Sequence, residues 1–232
     1  MKIKKLLKNK ICLAIQARYS SERLPGKVLK EVAGTPILEH TIKRLQKTKL
    51  FHSIYVLTSN NSEDLRIINF CESKSYKSFS CSLENVFKRF KSFLKFNSYD
   101  AFVRISGDSP LIDPFLIDKM VNKFRRNDYD ILTNVFPRTF PSGQSVEIIK
   151  SKTFLKVDES LLSKEDKEHV TSFFYKNNKI FNIENFECKY SHKNLKLSID
   201  THADFDRFVN FLKKNNKSLP EDIKINDIVE NW

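Results

Sequence analysis

The sequence predicts an α/β fold in which a mostly parallel sheet carries helices on both faces. Three observations predict it. Short apolar runs such as "ICLAIQ" (11–16) have the continuous hydrophobicity of strands buried on both sides. Segments with apolar residues at helical spacing follow them, as in Leu38, Ile42 and Leu45. The two kinds of segment alternate, with no Gly/Ser linker and no internal repeat.

The elements follow in order. After the strand at 11–16, Pro36 stands at a first helical position, and the helix is expected to run to Lys47. "SIYVLTS" (53–59) reads as the second strand. Ser62 and Glu63 open a helix that ends near Lys74. Val86, Phe90, Phe93 and Leu94 form the next helical stripe, and "DAFVRIS" (100–106) the next strand. Pro114 opens a helix whose Ile117, Met120, Val121 and Phe124 share one face. "DILTNV" (130–135), "QSVEII" (144–149) and "LKLSI" (195–199) read as strands. A last helix carries Phe205, Phe208, Val209 and Leu212 on one side. Residues 136–195 are less regular and are expected to form an insertion or dimerisation arm within a single domain spanning 1–232.

With 232 residues, 40% of them apolar and 20 of them Phe, the chain can fill one sizeable core. The formal charge of +13 comes largely from scattered lysines. The basic residues are not interleaved with aromatics and match no recognition module, so no nucleic-acid partner is expected. The four cysteines lack metal-ligand spacing and suit a reducing, cytoplasmic compartment. The apolar run behind the basic N-terminus is shorter than a signal-peptide core (about 7–15 residues) or a membrane helix (about 20), so no membrane association is expected.

In such sheets ligands bind beyond the carboxyl ends of the strands, which directs attention to residues 17–27, 58–61, 106–110 and the neighbourhood of 200. The first stretch, "IQARYSSERLPGKVL" (15–29), gathers Arg18, Ser21, Arg23 and Lys27 around a Pro25–Gly26 turn. Its spacing is not that of the G-x-x-x-x-G-K-[ST] phosphate loop. Each pair of cations about 6 Å apart would repel by roughly 3 kcal/mol at an effective dielectric near 20. A polyphosphate turns that repulsion into attraction; the alternative is three solvated surface charges. In "RISGDSPLIDP" (104–114), Asp108 is a Mg²⁺ ligand or a turn former, and Asp113 is the cap of the following helix. Asp200, in "LSIDTHADF", is a second Mg²⁺ ligand or, with Thr201, a helix cap. Ser59 and Asn60 contact a base or ribose, or form a turn. His169 is a sugar contact, a base or a structural residue, and His202 is read as surface.

Together these segments resemble the spore-coat polysaccharide cytidylyltransferases, relatives of the enzymes that activate Kdo and sialic acid with CMP. "IQARYSSERLPGKVL", "GTPILEHTIKRL", "VRISGDSPLIDP", "PRTFPSG", "KEHVT" and "SIDT" match in order over residues 11–212. The resemblance implies a Rossmann-like nucleotidyltransferase that uses CTP, an acidic 2-keto sugar and Mg²⁺, and that forms a homodimer. The family's R-x-x-S-x-R-x-x-x-K signature falls on Arg18, Ser21, Arg23 and Lys27 as the phosphate-binding loop. Its metal carboxylates fall on Asp108 and Asp200. Ser59 falls near the strand end that contacts the base, and Arg89 matches a recurring arginine. The chain departs from the pattern at Ser20 and Cys81, where the family usually has Gly, and at Ser142, Ser145 and Asn85, where it often has an acid. The implied reaction is CMP transfer with release of pyrophosphate. The alternatives are a nucleotidyltransferase for another triphosphate such as GTP, a member that has lost turnover, and a non-catalytic nucleic-acid binder.

Overall fold

The computed structural model describes residues 9–189, 192–214 and 228. Seven strands form one sheet: β1 (Ile11–Gln16), β4 (Ser53–Ser59), β5 (Ser78–Cys81), β6 (Ala101–Ser106), β7 (Ile131–Thr133), β8 (Glu147–Lys150) and β9 (Ile183–Asn185). A separate hairpin pairs β2 (Glu31–Val32) with β3 (Thr35–Pro36). The sheet order is β5-β4-β1-β6-β8-β7-β9. Only β8 runs against the rest, antiparallel to β6 on one side and β7 on the other. The fold is thus the expected mostly parallel α/β sheet.

Side-chain alternation along the strands divides the interior. Ile11, Leu13 and Ile15 of β1 face one side, with Val103 and Ile105 of β6. There they meet α1 (Ile37–Leu45), α2 (Leu65–Ser73) and α4 (Pro114–Arg126). Cys12 and Ala14 face the other side with Phe102. They meet α3 (Val86–Phe96), α5 (Ser151–Lys156) and α7 (Ser172–Lys176), where Phe87 stacks on Phe154 with ring centres 4.2 Å apart. Each fully buried side chain of this kind contributes about 1.5–3 kcal/mol. Among the described residues no helix is long and apolar enough to cross a membrane.

Asp113 caps α4 as expected, its side chain accepting from the Phe115 N–H at 2.9 Å, with Pro114 in the first turn. Residues 136–195 supply β8, α5, α6 (Lys164–Glu168), α7 and β9. The late strand expected over 195–199 is not part of the sheet. Its backbone bonds go to loops instead: Leu197 N–H to the Ser142 carbonyl (2.8 Å) and Ile199 N–H to the Asp108 carbonyl (3.0 Å). Its apolar residues Leu197 and Ile199 pack in a third cluster with Phe208, Phe211 and Leu212 of α8 (His202–Lys214). A strand and a loop-bound extended segment give the same apolar pattern, so the hydrophobicity did not distinguish them.

Gly143 makes that docking fit. Its φ is +87°, and a Cβ there would stand 2.6 Å from the Leu197 carbonyl carbon and the Ser198 nitrogen. Only glycine, with no side chain, admits the second backbone this closely.

Candidate active site

β1 and β6 end level, with Gln16 paired to Ser106. Gly107 lets the two chain ends stay close: its N–H reaches the Gln16 carbonyl at 2.9 Å, and a Cβ there would lie 3.1 Å from that of Ala17. A cavity of about 740 Å³ opens beyond these ends, lined by residues of the 16–28 stretch, Glu63, Ser106, Asp108 and Asp200. Its size suits a nucleotide-sized ligand, and its position is the one expected for such a sheet.

The loop from Tyr19 to Gly26 closes on itself, Gly26 N–H donating to the Tyr19 carbonyl at 3.0 Å. Gly26 has φ +66°, and a Cβ would meet the Tyr19 ring at 2.8 Å. Backbone conformation and ring packing both require glycine here.

Lys27 is the centre of the charge arrangement. Its Nζ donates to Asp108 Oδ2 at 2.5 Å and to Asp200 Oδ1 at 2.9 Å. Arg23 Nη2 reaches the same Asp200 oxygen at 3.3 Å. Burial alone would lower the Lys27 pKa, but the two carboxylates overcome it and hold the group above its ordinary value. Burial would likewise raise Asp200, yet Lys27 and then Lys196 hold it below the usual carboxylate range. Asp200 is not the helix cap. Thr201 takes that role, accepting from the Asp204 N–H (3.2 Å) while Asp204 accepts from the Thr201 N–H (3.0 Å).

The two carboxylates therefore face each other across a single positive centre. They arrive from different segments, and the Ile199–Asp108 backbone bond fixes their spacing. This donor set fits Mg²⁺, which typically takes one or two carboxylates and completes its shell with phosphate oxygens and water. Among the described residues no group of three or more His, Cys, Asp or Glu gathers as a metal cage.

The remaining residues named from sequence are placed as follows. Arg18 lines the cavity and pairs with Glu168 at 3.0 Å, both about half exposed, at 48% and 44%. Ser21 lines the cavity. Ser59 is fully buried, donating its hydroxyl to Asp64, and Asn60 is exposed; neither lines the cavity. Arg89 is 1% exposed and donates to the backbone carbonyl of Ser82 (2.9 Å), and its buried Nη1 has no hydrogen-bond partner among the described residues. His169 and His202 are both exposed.

The departures from the family pattern have local partners. Ser142 Oγ lies 2.6 Å from Ser198 Oγ, Ser145 accepts from Arg138 at 3.1 Å, and Asn85 caps α3 through Lys88 N–H at 2.7 Å. Sequence reasoning missed Gln16, which lines the cavity, and the supporting residues Asp64 and Arg104 behind it. Asp64 is 1% exposed and holds the start of the cationic loop. Gln16 accepts twice from Arg104, at 3.0 and 3.1 Å, and Arg104 pairs with the buried Glu147. Arg104 is the odd charge in a mostly apolar strand, a signal that could have found it. Nothing comparable marks Asp64, which reads as an ordinary acid in a first helical turn.

A cationic loop at the carboxyl edge of a mostly parallel sheet, facing two acids that can share a cation, is a set of donors and charges that suits a phosphate-bearing ligand. Comparison with known proteins makes the class specific. The profile of the family described as cytidylyltransferase matches residues 12–229, and the chain belongs to that family of nucleotidyltransferases. An uncharacterised protein of Methanocaldococcus jannaschii is 34% identical over 88% of this chain and 84% of its own length. The spore coat polysaccharide biosynthesis protein SpsF of Bacillus subtilis is 25% identical over 85% of this chain and 84% of its own. The 8-amino-3,8-dideoxy-manno-octulosonate cytidylyltransferase of Shewanella frigidimarina is 34% identical over 51% of this chain and 49% of its own. A solved cytidylyltransferase structure from Leptospira borgpetersenii superposes with a TM-score of 0.81 at 28% identity, covering 94% of this chain and 99% of that one.

Proposed function

We propose that the protein transfers CMP from CTP to an acidic 2-keto sugar and releases pyrophosphate. The observation that carries this reading is the convergence of Arg18, Arg23 and Lys27 with Asp108 and Asp200 on one cavity. The octulosonate acceptor in the name of the Shewanella relative supports an acidic sugar.

A hydroxyl of the sugar attacks the α-phosphorus. The new O–P bond forms as the bond to the β-phosphate oxygen breaks, the hydroxyl proton leaves to solvent, and pyrophosphate departs. Arg18, Arg23 and Lys27 neutralise the charge that gathers on the β- and γ-phosphates. To do so, Arg18 exchanges Glu168 for phosphate oxygens, and Lys27 exchanges its two carboxylates. Ser21 donates a hydroxyl to the same oxygens. Asp108 and Asp200, once freed of Lys27, would hold Mg²⁺, which would supply charge neutralisation for the triphosphate. Positioning and electrostatics suffice for this chemistry, and no covalent enzyme intermediate is required.

Purified protein with Mg²⁺, CTP and 2-keto sugar acids of the octulosonate kind should release pyrophosphate, while GTP should not replace CTP. Turnover with another triphosphate alone would redirect the reading. Salt-steep nucleic-acid binding with no stabilisation by any triphosphate would replace it. The four free thiols agree with a reducing cytoplasmic setting. The homodimer implied by the resemblance is tested by light scattering at micromolar concentration.

A further inference from the structure

We infer that Asp64, which does not line the cavity, is the positioning residue of the cationic loop and sets triphosphate affinity through the backbone of Tyr19. The inference rests on the proposed triphosphate site.

Asp64 lies at the entrance to α2 and is 1% exposed. Its two oxygens serve two different segments. Oδ1 accepts from the Tyr19 N–H at 2.5 Å. Oδ2 accepts from the Ser59 N–H at 3.1 Å and from the Ser59 hydroxyl. The carboxylate is therefore a clamp between the end of β4 and the loop that leaves β1. Because the two N–H groups are taken by different oxygens, a side chain that keeps one acceptor oxygen in the same place loses one of the two contacts.

Tyr19 passes the constraint on. Its carbonyl takes the Gly26 N–H, and its ring lies where a Gly26 side chain would otherwise be. Arg66 holds the far side, donating to the Tyr19 hydroxyl at 2.8 Å with its guanidinium 4.7 Å from the ring centre. Tyr19 is thus fixed through its N–H, its carbonyl and its ring. Arg18 precedes it directly, and Ser21, Arg23 and Lys27 hang on the turn it closes. The side chains of Arg18, Arg23 and Lys27 are held by carboxylates, and the backbone from which they reach toward the cavity is held at Tyr19 by Asp64.

The buried guanidinium of Arg89 feels the charge of the clamp. Burial lowers the Arg89 pKa, and the negative charge of Asp64 is the leading influence that raises it again. Arg89 also donates to the Ser82 carbonyl, which anchors the loop after β5 to this buried arginine.

The test is Asp64→Asn, which keeps the shape and removes one acceptor. Triphosphate affinity, measured by calorimetry with CTP and Mg²⁺, should fall about tenfold, the lower range for loss of an orienting partner. KM for CTP should rise with kcat unchanged. Amide exchange at Tyr19 and Gly26 should accelerate without a matching change in the sheet. Wild-type affinity in a folded Asp64→Asn protein would overturn the inference and leave the nucleotide reading standing. Failure of the wild type to bind any triphosphate would instead remove the reading on which it rests. If the variant does not fold, the wild-type protein decides: a Tyr19 amide that exchanges at the unprotected rate shows that the clamp is absent.

Discussion

Lys27 and Asp108 meet at 2.5 Å although 81 residues separate them in the chain, and the same ammonium reaches Asp200 at 2.9 Å across 173. A lysine thus stands between two acids in the place a divalent cation would take. Two competitors for the acids, one internal and one from solution, make the arrangement testable.

Lys27→Ala should have opposite effects on two ligands. CTP affinity should drop by about 10–100-fold with the loss of a charge-assisted contact worth roughly 1.5–3 kcal/mol. Mn²⁺ alone should bind more tightly than to the wild type, because Asp108 and Asp200 no longer share an ammonium. Calorimetry of the nucleotide and paramagnetic titration of the metal read the two effects separately.

Asp108→Ala should retain the fold and lose activity by about 10²-fold or more, the scale for removing a group that stabilises transition-state charge. The backbone carbonyl that receives Ile199 is unchanged by the substitution, so Asp200 stays in place. Circular dichroism checks the fold and pyrophosphate release the turnover.

Stability should depend on pH at both ends. Asp200 is held below its ordinary value, so its contribution is complete above the unfolded value of about 3.9 and is lost as pH falls through the lower folded value. Lys27 is held above its ordinary value, so its contribution is complete below about 10.4 and is lost as pH rises through the higher folded value. Urea unfolding of wild type and Asp200→Asn from pH 7 down to pH 3 should converge at the acid end.

Gly143→Ala should destabilise the protein by about 2–4 kcal/mol, combining a left-handed side chain with a collision against a second backbone. It should also reduce activity, because the displaced segment carries Asp200. Thermal unfolding and turnover should fall together.

Much of this was legible in the sequence, for physical reasons that vary by element. β1, β4 and β6 match the expected spans within a residue because β1 is an unbroken apolar run and β4 and β6 are rich in β-branched and aromatic residues, and α4 is marked by the Asp113–Pro114 start. β5, with only Ser-Phe-Ser-Cys to offer, carries no such run, and β9 is three residues long. Arg18, Arg23, Lys27, Asp108 and Asp200 were brought together by the rule that loops at carboxyl strand ends face one another. That rule located Asp200 by a strand that does not exist; the extended segment reached the same place through Ser142 and Asp108. Ser59 and Arg89 point to a different limit. Sequence identifies a polar side chain near a site but not whether it faces the cavity or the backbone behind it.

The bond from Ile199 to Asp108 also fixes an order of events. Until the final quarter of the polypeptide has emerged and docked, an earlier intermediate can hold the sheet, the turn at Gly26 and one acid, but only half of the pair. Competence therefore arrives late during synthesis, and a fragment ending near residue 190 would lack both Asp200 and the Leu197, Ile199 and Phe208 side chains that pack with Leu24, Val32 and Leu111.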